Sequence, residues 1–140
     1  MAIATTNGDN CMVGAKLLPD NPYDGHTLAA TVTAVESVTG VAPTDAYVDK
    51  GYRGHDAPKP RRVFISGQKR GVFGAIKREL RRRSAIEPII GHLKAEGHLG
   101  RCYLKGRAGD AANVVLSAVG NNFRRILAWL RELLCLFLAQ

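Results

Sequence analysis

A short apolar run and an apolar stripe at helical spacing predict a strand and one amphipathic helix in the first part of the chain. The apolar run 11–18 (CMVGAKLL) ends at a Pro-Asp turn signal over 19–22 and predicts a strand. Residues 1–10 are interpreted as the end of a preceding strand. Thr27 is expected to cap a helix over 28–39, where apolar residues recur at helical spacing. This part of the chain therefore predicts strands that pack on one helix.

The pattern continues with two strands and then changes to helix. Residues 45–48 and 62–66 are β-leaning runs, and helix-forming residues dominate from Val72 onward. Pro88 is expected to kink or restart that helix. A last helix is predicted over 110–137, capped by the Asp at its start. Strand, helix, strand, strand and then helices is the order of an α/β fold in one domain.

The positive charge lies in the second half of the chain. Residues 1–60 hold four Lys or Arg against seven Asp or Glu, a net charge of −3, whereas residues 61–140 hold sixteen against five, a net charge of +11. Such a field attracts nucleic acid, an anionic membrane or an acidic protein, and charge alone does not choose among them.

Cysteine spacing and the C-terminal sequence bear on the compartment. Cys11, Cys102 and Cys135 are widely spaced and odd in number, which favours reduced thiols and a cytoplasmic protein. The apolar stretch 114–138 is interrupted by Arg, Asn and Glu, and the N-terminus lacks the pattern of a secretory signal. We therefore expect neither secretion nor a membrane partner.

Two carboxylates and several cations are candidates for a site. On a continuous helix, Arg83, Glu87 and Lys94 lie on one face because they are four and seven residues apart. A carboxylate between two cations suits a divalent metal beside phosphates, although ion pairs on a solvated helix face explain the same spacing. Asp49 follows the strand 45–48 and supplies a second carboxylate, although Asp in such a loop is commonly a turn former.

The motifs together resemble the DDE transposases of bacterial insertion sequences, in the group of the fourth and fifth named elements. The matching segments are 21–28 (NPYDGHTL) and 47–54 (YVDKGYRG), followed by the Arg/Glu/Lys spacing of Arg83, Glu87 and Lys94. The similarity extends over residues 14–129, and it identifies the whole chain, 1–140, as the C-terminal part of such a catalytic domain. The family motif often has Tyr where this chain has Leu80.

The resemblance implies a ribonuclease-H-like α/β core that is truncated at its N-terminus. The family's first Asp lies on the first strand of the sheet, ahead of the part that resembles this chain. Asp49 and Glu87 would then be catalytic ligands of Mg²⁺ or Mn²⁺ in an incomplete site. By the same resemblance, Arg83 and Lys94 would bind DNA.

Three functions are compatible with these features. The first is a truncated transposase that binds transposon-end DNA, with Arg81 and Arg82 as further phosphate contacts, and that is inactive alone. The second is a non-catalytic remnant that binds DNA or interacts with another transposase chain or an upstream fragment. The third is a basic RNA-associated protein, against which the lack of a Gly/aromatic RNA-binding motif argues.

Overall fold

The fold consists of two separate pairs of short strands and four α-helices. The computed structural model describes residues 1–18, 22–57 and 61–139. The elements in chain order are β1 (Ala2–Thr5), β2 (Met12–Lys16), α1 (Leu28–Thr39), β3 (Asp45–Val48), β4 (Arg62–Ile65), α2 (Gly74–Arg83), α3 (Ile86–Ala95) and α4 (Gly106–Leu138). Short 3₁₀ turns lie at Asp24–Thr27 and Lys50–Tyr52. The expected α/β class is confirmed at this level, whereas most of the turn predicted over 19–22 lies outside the described residues.

The strands form two sheets that share no strand. β1 pairs with β2 in antiparallel register, with Ala2 opposite Lys16, and β3 pairs with β4 in parallel register, with Tyr47 opposite Phe64. The Tyr47 and Phe64 rings stack with centroids 5.4 Å apart. Because each strand has two edges, β1 and β3 each have one edge that pairs with no strand of the described chain.

The core holds α3 and α4 against the first sheet. Leu93 of α3 is 1% exposed and packs with Met12, Ile89 and Ala118. Ile89 and Leu93 are four residues apart and therefore lie on one face of α3. On the other side, α1 buries Leu28, Val32 and Val35 at helical spacing. Its hydrophobic pattern predicts both the extent and the buried face of α1.

The cap of α1 differs from the prediction. The Thr27 hydroxyl donates to the Asp24 carbonyl at 2.7 Å and makes no capping hydrogen bond. Instead, Oδ1 of Asp56 accepts from the Ala29 amide at 2.9 Å. A residue that follows β3 thus satisfies a free N–H of the helix, so the cap ties α1 to the loop after β3.

The C-terminal helix is longer than predicted. α4 begins at Gly106, where φ is +75°, and not at Asp110. Its Asn122 side chain accepts from the Met12 amide and donates to the Met12 carbonyl, both at 2.8 Å. These two bonds satisfy the backbone polar groups of the first residue of β2. Across the described ranges, no helix combines the length and the apolar content needed to cross a lipid bilayer.

The helix predicted from Val72 is broken. α2 ends at Arg83 and α3 begins at Ile86, so Arg83 and Glu87 do not share one continuous helix. The break precedes Pro88, which lies in the first turn of α3. Amides in the first turn have no carbonyl partner within the helix, so proline is tolerated there. The restart attributed to Pro88 therefore occurs two residues ahead of it.

Candidate functional site

Asp49 and Glu87 meet on either side of the Arg83 guanidinium. Arg83 Nη2 lies 3.5 Å from Asp49 Oδ2, and Nη1 lies 3.6 Å from Glu87 Oε1. The Arg83 side chain is 16% exposed, whereas both carboxylates are more than half exposed. These separations exceed those of good hydrogen bonds. Charge attraction, rather than bidentate hydrogen bonding, therefore holds the cluster together. The three residues lie close together although α2 and α3 are separate helices.

The loop after β3 positions Asp49. Its Oδ1 accepts from the Lys50 amide at 2.7 Å, which caps the 3₁₀ turn Lys50–Tyr52 and leaves Oδ2 directed toward Arg83. The side chain is thus oriented by its own backbone, and one carboxylate oxygen remains for a cation. This location at the carboxyl end of β3 is the one that the sequence pattern predicts.

The two motif segments of the sequence pack against each other. The Tyr23 hydroxyl donates to the Arg53 carbonyl, and the Asp56 amide donates to the Gly25 carbonyl at 3.0 Å. A Cβ at Gly25 would lie 2.7 Å from the Tyr23 ring and 3.3 Å from the Arg53 oxygen, so only glycine permits this approach. The turn before α1 therefore supports the loop that carries Asp49.

An apolar cleft of about 630 Å³ opens beside the Asp49 cluster. The unpaired edges of β1 and β3 line two of its walls, and α1 contributes Val32 and Val35. Ile86 and Ile90 of α3 also line it, and Asp49 and Arg83 lie at its border with the cluster. The cleft thus combines two open strand edges, apolar helix faces and one end of the charged site.

Tyr52 and Asp24 belong to the surroundings of the site, although the sequence pattern assigns neither to it. Both side chains line the cleft together with Asp49. Burial raises the pKa of the Tyr52 phenol above its usual value, and the nearby Asp24 carboxylate raises it further. Tyr52 therefore stays neutral as a hydrogen-bond donor beside the carboxylates. Its position three residues after Asp49 is the only sequence signal that points to it.

The predicted cationic residues fall in different surroundings. Lys94 is exposed on α3, seven residues after Glu87 and thus on the same face, about 10 Å along the helix axis. Arg81 and Arg82 are exposed at the end of α2, and Arg82 pairs with Glu79 at 3.2 Å. Arg81 and Arg82 lie one turn after exposed Lys77 and Arg78 on α2, and these four residues form a basic face. Arg83, by contrast, is occupied with the carboxylates.

The two carboxylates fit a divalent cation that takes most of its ligands from water or phosphate. Mg²⁺ is commonly held by one or two carboxylates together with water and phosphate oxygens, which Asp49 and Glu87 can match. Within ranges 1–18, 22–57 and 61–139, no three His, Cys, Asp or Glu side chains converge on one point. The residues present therefore provide two ligands, with a guanidinium between them.

Comparison of the chain with models of protein families, with curated proteins and with solved structures finds no significant match. The function is therefore argued from the geometry of the site and from the sequence motifs.

Proposed function

We propose that the chain is part of a metal-dependent DNA strand-cleaving and strand-transferring enzyme of the insertion-sequence transposase type, with a ribonuclease-H-like core. The observation that carries this proposal is the convergence of Asp49 and Glu87 from separate elements onto Arg83. The motif resemblance and the basic face next to the cluster support it further. Transposon-end DNA is the proposed substrate, and the chain alone is proposed to be inactive.

The chemistry follows from the groups at the cluster. Asp49 Oδ2 and Glu87 would hold Mg²⁺ or Mn²⁺, which when bound would activate an attacking oxygen and stabilise a leaving one. Arg83 is a cation at the same point and offsets one of the two negative charges of the carboxylates. Exposed Arg81 and Arg82 would hold the DNA backbone alongside, because guanidinium groups pair well with phosphates.

The cleft supports the proposal that the core is completed by a further strand. The cleft is lined by all four residues of β1 and all four of β3, so an inserted strand of similar length would lie along both. An inserted strand would pair with both open edges, and an Asp on it would reach the Asp49 cluster. An upstream fragment or another chain is proposed as its source.

Metal binding should depend on both carboxylates and should be opposed by Arg83. We expect calorimetry with Mn²⁺ to give weak binding, which the Asp49→Asn, Glu87→Gln double variant loses. Removing the competing cation in Arg83→Gln should strengthen binding severalfold, because two carboxylates then face each other without a counter-charge. The amide variants retain the side-chain shapes, so loss of binding would not reflect a cavity.

Asp45 provides the matched control for the metal experiment. It lies at the opposite end of β3 and pairs with Arg62 at 2.7 Å, so Asp45→Asn removes a charge from the same strand away from the cluster. Its Mn²⁺ affinity should equal that of the parent. Equal affinities for the parent and the double variant would refute the metal site.

The basic face should give DNA binding a steep dependence on salt. Replacing exposed Arg81 and Arg82 with Gln should make the negative slope of log affinity against log salt shallower by about 1–2. Each lost phosphate contact contributes about 0.9 to the magnitude of that slope. The measurement is fluorescence anisotropy with any duplex. The Arg107→Gln, Arg131→Gln double variant removes the same charge elsewhere and should retain the parent slope. Equal slopes in the two double variants would contradict the assignment.

A second candidate function is the non-catalytic DNA-binding remnant. The observation that favours it is the Arg83 guanidinium, which occupies the position between the two carboxylates. The Mn²⁺ titration separates the candidates, because a remnant would bind DNA with the same salt slope and would show no metal binding in either parent or Arg83→Gln.

A further inference from the structure

The exposed side of α4 carries an apolar stripe that is not buried by the described part of the chain. Seven side chains alternate at spacings of three and four residues, and all are exposed: Leu116, Val119, Phe123, Ile126, Leu130, Leu133 and Phe137. This is the spacing of the a and d positions of three successive heptads. A repeat of 3.5 residues that is sustained over this length is typical of a helix that pairs with another helix.

The stripe lies on the opposite side of α4 from the face that packs on the domain. Val114, Ser117 and Ala118 are buried against the rest of the chain, and Asn122 bonds β2. At 100° per residue, the three buried positions point roughly 150° away from the stripe, whereas Asn122 lies about 60° from it. A partner can therefore bind the stripe beyond Asn122, from Ile126 to Phe137, without displacing the contacts of Val114, Ser117 and Ala118.

The end of α4 has no support from its own domain. Residues 126–138 are all exposed and extend for about 20 Å. An isolated helix of this length is marginal in water, and most helical stability in proteins comes from packing of an apolar face. The continuous helix thus calls for a partner along this segment.

We propose that α4 associates with α4 of a second copy of this chain through the stripe. The side chains between the a and d positions decide the kind of partner. Arg124, Arg125, Arg131 and Glu132 fall at the outer b and c positions, so no charge within the seam selects an oppositely charged partner. An all-apolar seam is complementary to itself, which is the requirement of a two-fold interface.

The available area is that of a stable dimer. Phe123, Trp129 and Phe137 are each more than 60% exposed, and a buried aromatic side chain covers about 150–250 Å². These three alone contribute on the order of 300 Å² per copy. The apolar residues beside the seam, Leu127, Leu134 and Leu136, widen the stripe. With the exposed aliphatic side chains of the seam, the total reaches the roughly 800 Å² per partner of a standard interface.

Analytical ultracentrifugation over a range of micromolar concentrations tests the proposal. The parent should self-associate, and Ile126→Glu with Leu130→Glu should weaken association by at least about a hundredfold, because two unpaired carboxylates would be buried per copy. The matched control is Ala128→Glu with Cys135→Glu, which adds the same charge at exposed outer positions and should associate as the parent does.

Two further readouts keep the result decisive. Circular dichroism of the variants at low concentration checks that the domain still folds, and the parent's melting temperature should rise with its concentration, as mass action requires. A parent that stays monomeric throughout overturns the proposal. A monomer that instead cosediments with phosphatidylserine vesicles overturns it in favour of a lipid-surface helix.

Discussion

An extended peptide that fills the cleft should raise the melting temperature of this chain by about 8–10 °C. At a peptide concentration one hundred times its Kd, binding to the folded state alone stabilises by about 2.7 kcal/mol, which corresponds to such a shift in a domain of this size. The peptide has alternating valine and threonine residues followed by one aspartate. Its backbone would pair with the open edges of β1 and β3, and its carboxylate would lie beside Asp49.

The chemistry should appear together with the strand. The chain alone is expected to nick no transposon-end duplex in a Glu87-dependent manner, and the chain with peptide and Mn²⁺ should nick it. The control peptide has proline at a central position, which removes a backbone donor and disrupts pairing with one of the two edges. A second control with asparagine for aspartate should raise the melting temperature without nicking. Glu87-dependent cleavage by the unaided chain would refute the proposed incompleteness of the site.

Asn122→Ala should destabilise the chain by about 3 kcal/mol. The substitution leaves the Met12 amide and carbonyl without partners, and each buried unsatisfied polar group costs about 1–3 kcal/mol. Both bonds are 2.8 Å long and link residues 110 positions apart, so the first sheet would loosen from α4. Urea unfolding followed by circular dichroism at one protein concentration measures the difference in the free energy of unfolding.

The neighbouring Asn121 is the matched control for this substitution. Its amide nitrogen is buried and has no hydrogen-bond partner within the part of the chain that the structure describes. Asn121→Ala therefore removes no such bond and relieves a buried unpaired donor, so the free energy of unfolding should change by less than about 1 kcal/mol. Equal losses of unfolding free energy for the two alanine variants would show that side-chain volume in this part of α4, rather than the Met12 hydrogen bonds, stabilises the sheet.

Local pattern predicted those elements whose signals are themselves local. The helix over 28–39 and the strand over 45–48 have the predicted bounds, because apolar spacing and the left-handed Gly40 specify them. The restart of the helix was predicted at Pro88, but its position two residues earlier was not, since the sequence 83–87 favours helix on propensity alone. The Asp56 cap of α1 was also missed, because it depends on a contact across 27 residues.

The candidate site shows the same division. The spacing of Arg83 and Glu87 predicted their proximity, and a strand end predicted the location of Asp49, but no pattern indicated that Arg83 would bridge the two. That arrangement depends on how α2 packs on β3, which is a tertiary contact. Tyr52 and the cleft arise in the same way, because a gap between two sheets has no signature in a linear sequence.

The separation of the two sheets also bears on the fate of the chain in solution. Open strand edges are templates on which strands from other molecules add, and both edges here border an apolar surface. We therefore expect these edges to favour aggregation and to bind proteases that recognise extended segments. A strand in the cleft would cover the open edges of β1 and β3. If the proposed strand fills the cleft, the cellular abundance of the chain should follow the supply of that strand.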